Sequence, residues 1–393
     1  MTKRKQLLIF IACYLAYTSI YIARLNLTVA TPGLILNGIA GNEQIGMLGG
    51  AFSVVYAIGR LINGYISDKK PPYVMIFSGL ILVSVSNILV GFFPPFMAMI
   101  FLWSVNAYSQ SMLWSSVLRI VGSIYDPKTA KKKTTYMVTT VATGNILGII
   151  LSTTIINKLG LSYAFIIPGI ITFVFAFLII ATTKTVECSV NVKSSHISLF
   201  ELFKNKDIQT VLSPAFFHGV MKDNISLWMT VYFVDKFSIN LTESAYFVLF
   251  IPIIGFIGRM AYPMCYKFLG ENEHKVSVFS FILCVLSCIP ITIGVGGPVA
   301  AVVCLSVIYA SVSIINTSML SIFPLRFLNT GNVASVSGVM DLATYCGAGA
   351  GSFIYGIVIK NFGYSPMFVS WMIISIISIP IIIRLVKNDK RAV

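Results

Sequence analysis

Residues 7–33 read LLIFIACYLAYTSIYIARLNLTVATPG, an apolar run broken by a single charge, Arg24. A bilayer core takes about 20 apolar residues per helix, so this stretch is long enough to span. It follows Lys3-Arg4-Lys5, as the apolar region of a signal peptide would. The run is too long for that, and no small-residue cleavage site follows, so it reads as a retained first span.

The pattern recurs along the chain. Apolar runs fall at roughly 7–33, 44–67, 73–93, 96–122, 134–157, 162–182, 209–235, 244–268, 276–295, 298–322, 332–359 and 364–386. Phe93-Pro94-Pro95 divides the third from the fourth, and Gly296-Gly297-Pro298 the ninth from the tenth. Of the 393 residues, 57% are hydrophobic and 10% charged, with a mean hydropathy of +0.88. Soluble domains carry about 25% charged residues, so a soluble enzyme is excluded, as are a disordered chain and a disulfide scaffold. The seven cysteines show no paired spacing and read as small buried hydrophobes. The three histidines form no metal-ligand pattern, and neither a metal nor another cofactor is expected.

The expected fold class is therefore an all-α membrane protein of twelve transmembrane helices in two pseudo-symmetric six-helix halves. The N-terminal half covers 1–182 and the C-terminal half 209–393. The polar segment 183–208, with Lys184, Glu187, Lys193, Lys204, Lys206 and Asp207, links them on the cytoplasmic side.

The net charge of +15 resolves along this topology. Twelve spans put both termini on one face, where 20 Lys and Arg residues collect; the opposite loops hold Lys158, Lys236 and Lys360. The positive-inside rule makes the first face cytoplasmic, which accounts for the charge without nucleic acid. Five cations remain inside spans: Arg24, Arg60, Arg119, Lys222 and Arg259.

These five show a repeat. Arg24 and Lys222 lie 198 residues apart, Arg60 and Arg259 lie 199 apart, and Ile58-Gly59-Arg60 is echoed by Ile257-Gly258-Arg259. Parallel repeats are a common way of building carriers. A cation at mid-membrane costs about 2.5–3.5 kcal/mol or more, so it lines a cavity or meets an acid. The spans hold only two acids, Asp223 and Asp341. The excess positive charge calls for an anionic ligand. Arg119, near a span end, reads as a snorkelling cation; Arg60 and Arg259 read equally as snorkelling or as ligands. Arg24 and Lys222 lie deeper and read as ligands, one per half. Tyr17, Tyr21 and Arg24 share one helix face, as do Tyr56 and Arg60, and His218 and Lys222. The tyrosines serve equally as donors or as packing, and His218 as structural or as a site donor. Asp223 would neutralise Arg24 or Arg259, with Asp341 as an alternative partner; proton coupling through either acid is the other reading. Gly347, Gly349, Gly351 and Gly356 read as close-packing positions.

Gly64-Tyr65-Ile66-Ser67-Asp68-Lys69-Lys70 resembles the loop pattern G-x-x-x-D-[RK] of the major facilitator superfamily. There the aspartate helps lock one conformation, which assigns Gly64, Asp68 and Lys69 to gating. Further stretches resemble the organophosphate:phosphate antiporters. They are Tyr17-x3-Tyr21-x2-Arg24-x-Asn26 with Pro32, Tyr56-x3-Arg60, Asn106-x3-Gln110-x-Met112-x-Trp114-x4-Arg119, Asn145, and Lys222 with Trp228. In glycerol-3-phosphate members a histidine stands where this chain has Gly144, and Trp-Pro-Pro where it has Trp114-Ser115-Ser116. The resemblance implies a major facilitator fold and a substrate site formed by Arg24, Lys222, Tyr17, Tyr21, Tyr56, Arg60, Trp114 and Arg259 between the first and seventh spans.

The expected function is secondary transport of a small organic anion by alternating access, foremost a phosphate ester exchanged for inorganic phosphate. Proton-coupled carboxylate symport and a transporter-like membrane sensor are the alternatives. The protein is expected to be no enzyme, to work as a monomer in a bacterial inner membrane, and to meet its anion and the lipid bilayer but no nucleic acid.

Overall fold

In a computed structural model, the structure describes residues 1–184, 186, 204–330 and 333–389. The side chains of residues 65, 68, 69, 127, 128, 131, 132, 135, 241, 325, 328–330, 333–335, 388 and 389 fall outside the description. Most of the expected linker, and the Asp68 and Lys69 side chains given a gating role, therefore lie outside the described parts.

The described residues form thirteen α-helices. In chain order they are α1 Lys3–Leu36, α2 Asn42–Lys69, α3 Pro72–Val90, α4 Phe96–Ser111, α5 Leu113–Ile124, α6 Pro127–Leu159, α7 Tyr163–Thr183, α8 Lys206–Phe237, α9 Leu241–Phe268, α10 Glu273–Ile293, α11 Gly297–Asn316, α12 Val333–Phe362 and α13 Ser365–Asp389. A π-helical turn, Thr317–Ile322, and a 3₁₀ segment, Phe323–Thr330, follow α11. Ten helical stretches are long and apolar enough to cross a membrane, which makes this an integral multi-pass membrane protein.

The two expected spans outside those ten have physical reasons. Run 96–122 is broken at Met112, where α4 ends and α5 begins. Ser109 and Ser111 there turn their hydroxyls back to the carbonyls of Val105 and Tyr108, at 2.6 and 2.5 Å. Such back-bonding bends helices, so the break needs no proline. Run 209–235 lies inside α8, a continuous helix of 32 residues whose apolar character is interrupted by Lys222 and Asp223.

The helix ends follow sequence. Thr2, Asp126, Asn205, Asn240 and Asn272 each cap a following helix by accepting a backbone N–H. The short connections turn on glycines with positive φ, Gly160 at +101° and Gly363 at +74°.

The chain groups into two compact units. Unit 1 comprises residues 1–41 and 51–193; unit 2 comprises 42–50 and 194–393. In unit 1, α1 packs on α6 and α7, and α3 on α7 and α4. Buried Asn26 donates to Asn87 Oδ1 at 2.7 Å and to the Ala164 carbonyl at 3.1 Å, which ties α1 to α3 and α7. In unit 2, α8 packs on α12 and α13, and α10 on α13 and α11. The first turns of α2 belong to unit 2, where Glu43 pairs with Lys360 at 3.1 Å.

Glycines set the closest approaches. A Cβ on Gly219 would sit 1.8 Å from the Thr344 carbonyl oxygen, and one on Gly347 2.0 Å from that of Phe216, so α8 and α12 cross backbone to backbone. A Cβ on Gly351 would sit 2.6 Å from Asn224 Nδ2, and one on Gly356 2.7 Å from the Asn42 carbonyl oxygen. Gly347, Gly351 and Gly356 thus pack as read from sequence.

Candidate functional site

Unit 1 gathers its candidate residues from α1, α2 and α5. Positions 17, 21 and 24 stack on one face of α1. The Tyr17 and Tyr21 rings meet edge to face at 5.6 Å, and Tyr17 lies 5.1 Å from the Trp114 ring. Along α2, residues 52, 56 and 60 recur every four positions and so form one stripe. Phe52 stacks on Tyr56 at 6.1 Å and leans on buried Trp103 at 5.8 Å.

Arg24 enters this stripe from α1. Its guanidinium carbon stands 4.5 Å from the Phe52 ring centre and 5.6 Å from that of Tyr56. The Arg60 guanidinium carbon stands 6.0 Å from the same Tyr56 ring centre. The Tyr21 hydroxyl is within electrostatic reach of Tyr56, Arg24 and Arg60. Tyr17, Tyr21, Arg24, Tyr56, Arg60 and Trp114 are thus brought together. Aromatic faces attract a cation by about 0.5–2 kcal/mol each while leaving its N–H edge able to bind an anion.

One departure from the glycerol-3-phosphate pattern has a steric reason. A Cβ on Gly144 would lie 2.5 Å from Tyr21 Cβ and 2.8 Å from the Thr18 carbonyl oxygen, so α6 has no room there for a histidine. Arg119 donates from Nη1 to the Lys70 carbonyl at 3.0 Å, closing the turn after α2. That is the span-end role read for it.

In unit 2, Lys222 extends from α8 to stand 5.4 Å from the Tyr345 ring centre on α12, and its ammonium lies 3.8 Å from Asp223 Oδ1. Both charged side chains are about one-fifth exposed (20% and 18%). Asp223 therefore meets its own neighbour Lys222, a partner the sequence reading did not name. Asp341 sits one turn before Tyr345 on α12. His218 is fully buried; its Nε2 lies 3.1 Å from the Val312 carbonyl, and its Nδ1 has no partner among the described residues. Lys222 and Arg259 both act electrostatically on His218, so these three belong to one neighbourhood. The Arg259 Nε is buried without a hydrogen-bond partner among the described residues, as is the Trp228 indole N–H. A Cβ on Gly64, the gating residue whose surroundings are described, would meet nothing within 4 Å among the described residues.

Sequence reasoning missed Phe52, Trp103 and Tyr345. The four-residue spacing of Phe52, Tyr56 and Arg60 was a usable signal, as was that of Asp341 and Tyr345. Nothing local marked the Val312 carbonyl.

Residues 13–351 match the family model described as Major Facilitator Superfamily. The chain belongs to the Major Facilitator Superfamily. Among curated proteins, this member is 27% identical over 172 residues to a probable hexose phosphate transport protein of Chlamydia trachomatis serovar D, covering 44% of this chain and 38% of that protein. It is 31% identical over 108 residues to the membrane sensor protein UhpC of Escherichia coli K12, covering 28% of this chain and 24% of UhpC. The matches thus span well under half of either relative. They agree with the resemblance to the organophosphate:phosphate antiporter branch. Among solved structures, the nucleoside transporter NupG superposes with a TM-score of 0.79 at 12% identity, covering 96% of this chain and 99% of NupG; it shares the fold.

Proposed function

We propose that this superfamily member exchanges a small phosphate ester for inorganic phosphate by alternating access, with Arg24 and Lys222 as the anion-binding cations. The observation that carries this reading is a matched pair. Each unit holds a basic residue inside an apolar helix, and each lies over aromatic rings: Arg24 over Phe52 and Tyr56, Lys222 over Tyr345. Arginine supplies a planar fork for two oxyanion oxygens, and lysine a compact point charge. Neutralising both on binding lowers the barrier to reorientation, so the loaded carrier crosses faster than the empty one. That asymmetry favours exchange over one-way transport.

The repeat supports the same reading. α1 and α8 each pack on the fifth and sixth spans of their own unit, and α3 and α10 each pack on the fourth and sixth. We read residues 1–182 and 209–393 as two six-helix halves joined by 183–208. The 20 cations on one face support reading both termini as cytoplasmic. Phosphate-for-phosphate exchange in proteoliposomes tests the proposal: Arg24→Gln or Lys222→Gln should reduce it at least tenfold, and unchanged exchange would reject the assignment.

The similarity to UhpC favours a second reading, a membrane sensor. A sensor would bind the anion without sustained exchange, so binding together with negligible counterflow would select it.

A further inference from the structure

We infer that His218 selects an oxyanion that still carries a proton. The inference rests on the proposed anion site at Lys222 and deepens it.

The imidazole of His218 is 0% exposed, and one of its nitrogens is committed: Nε2 faces the Val312 carbonyl of α11 at 3.1 Å. A carbonyl only accepts, so Nε2 carries the proton and donates it. A neutral imidazole has one donor and one acceptor, and imidazole is mostly neutral at pH 7. Nδ1 is therefore a bare acceptor, and it has no hydrogen-bond partner among the described residues. A buried acceptor without a partner is unfavourable, and a ligand donor is one way to satisfy it.

The position of His218 gives the acceptor its use. It stands one turn before Lys222 on α8, and a helical side chain leans back over the turn N-terminal to it. An anion held on the Lys222 ammonium therefore lies against the His218 turn. Arg259 also acts electrostatically on this ring. Two positive groups within electrostatic reach of a ring with one free lone pair make a mixed environment. The cations attract any oxyanion, but the lone pair repels a fully ionised oxygen and accepts from an O–H. Inorganic phosphate near pH 7 always keeps at least one O–H, as does a singly ionised phosphate monoester. Sulfate, with the same tetrahedral shape, has none. His218 is thus a specificity residue in which the Val312 bond fixes the tautomer and Nδ1 reads the ligand's proton. A site donor, one of the two roles read from sequence, would have the opposite preference.

The test is calorimetric titration of the full-length protein in detergent at pH 7 with inorganic phosphate and with sulfate. Wild type should bind phosphate at least tenfold more tightly than sulfate. His218→Gln keeps an amide N–H able to meet the Val312 carbonyl but removes the acceptor at Nδ1. It should retain the wild-type melting temperature while the preference collapses to within about twofold. His218→Asn places a carbonyl oxygen where Nδ1 was and should keep most of the preference. Equal binding of the two anions by wild type overturns the inference while leaving the anion site standing. So does a wild-type ratio in H218Q, which would make the histidine structural only. Binding of neither anion by wild type overturns the anion site and this inference with it. If H218Q does not fold, the wild-type ratio and H218N decide.

Discussion

The guanidinium of Arg24 lies 4.5 Å from the centre of the Phe52 ring, on a different helix of the same unit. Phe52 in turn stacks on Tyr56, so a cation inside an apolar helix rests on a two-ring platform. Replacing Phe52 with Leu keeps bulk and removes the π face. The loss of about 0.5–2 kcal/mol of positioning should weaken phosphate binding by roughly 2- to 30-fold with little change in melting temperature. Titration with phosphate checks it; unaltered affinity would show that the platform only packs.

The α8–α12 crossing makes a stability prediction with its own control. Gly219→Ala puts a methyl 1.8 Å from the Thr344 carbonyl oxygen, which forces the helices apart. Overpacking of this kind costs about 1–3 kcal/mol or more, and melting should fall by several degrees. Gly338, also on α12, has nothing within 4 Å of its would-be Cβ among the described residues. Gly338→Ala should leave melting unchanged or raise it, since alanine is the better helix former by about 0.5–1 kcal/mol.

This contrast shows how far the sequence carries. Apolar runs sufficed for membrane helices, and the 198- and 199-residue spacings for proposing Arg24 and Lys222. The glycines of α12 were read as packing positions, but which glycine meets a backbone depends on how two helices cross. Sequence also missed the Met112 break, where no proline stands. The tautomer of His218 is set by a carbonyl 94 residues away, and a backbone carbonyl leaves no mark in residue type.

Glu273, at the start of α10, is 5% exposed and forms an ion pair with Arg326 in the 3₁₀ segment. Its backbone carbonyl accepts from Ser318 at 2.8 Å and from Ser277 at 3.0 Å. Glu273→Ala should lower stability by about 1–3 kcal/mol, because Arg326, 34% exposed, recovers part of its solvation. Thermal melts of E273A and R326A should drop together, and the double variant should show non-additivity.

Tyr364, in the connection between α12 and α13, donates to Asp235 Oδ2 at 2.7 Å. Burial, and then the Asp235 carboxylate, hold its phenol well above the ordinary value. The raised group favours the folded state fully below about pH 10, where an unfolded tyrosine starts to ionise, and that contribution falls as pH rises further. Wild type should therefore lose melting temperature more steeply than Tyr364→Phe between pH 9.5 and 11, a window set by the unperturbed tyrosine value of about 10. Parallel curves would show that the bond does not couple to folding.

The central claim is the proposal that Arg24 and Lys222 are the anion-binding cations. Its most direct measurement is uptake of labelled phosphate into proteoliposomes preloaded with phosphate, for wild type, R24Q and K222Q. Wild type should exchange, and each variant should fall at least tenfold while keeping its melting temperature. Full exchange by either folded variant would contradict the claim.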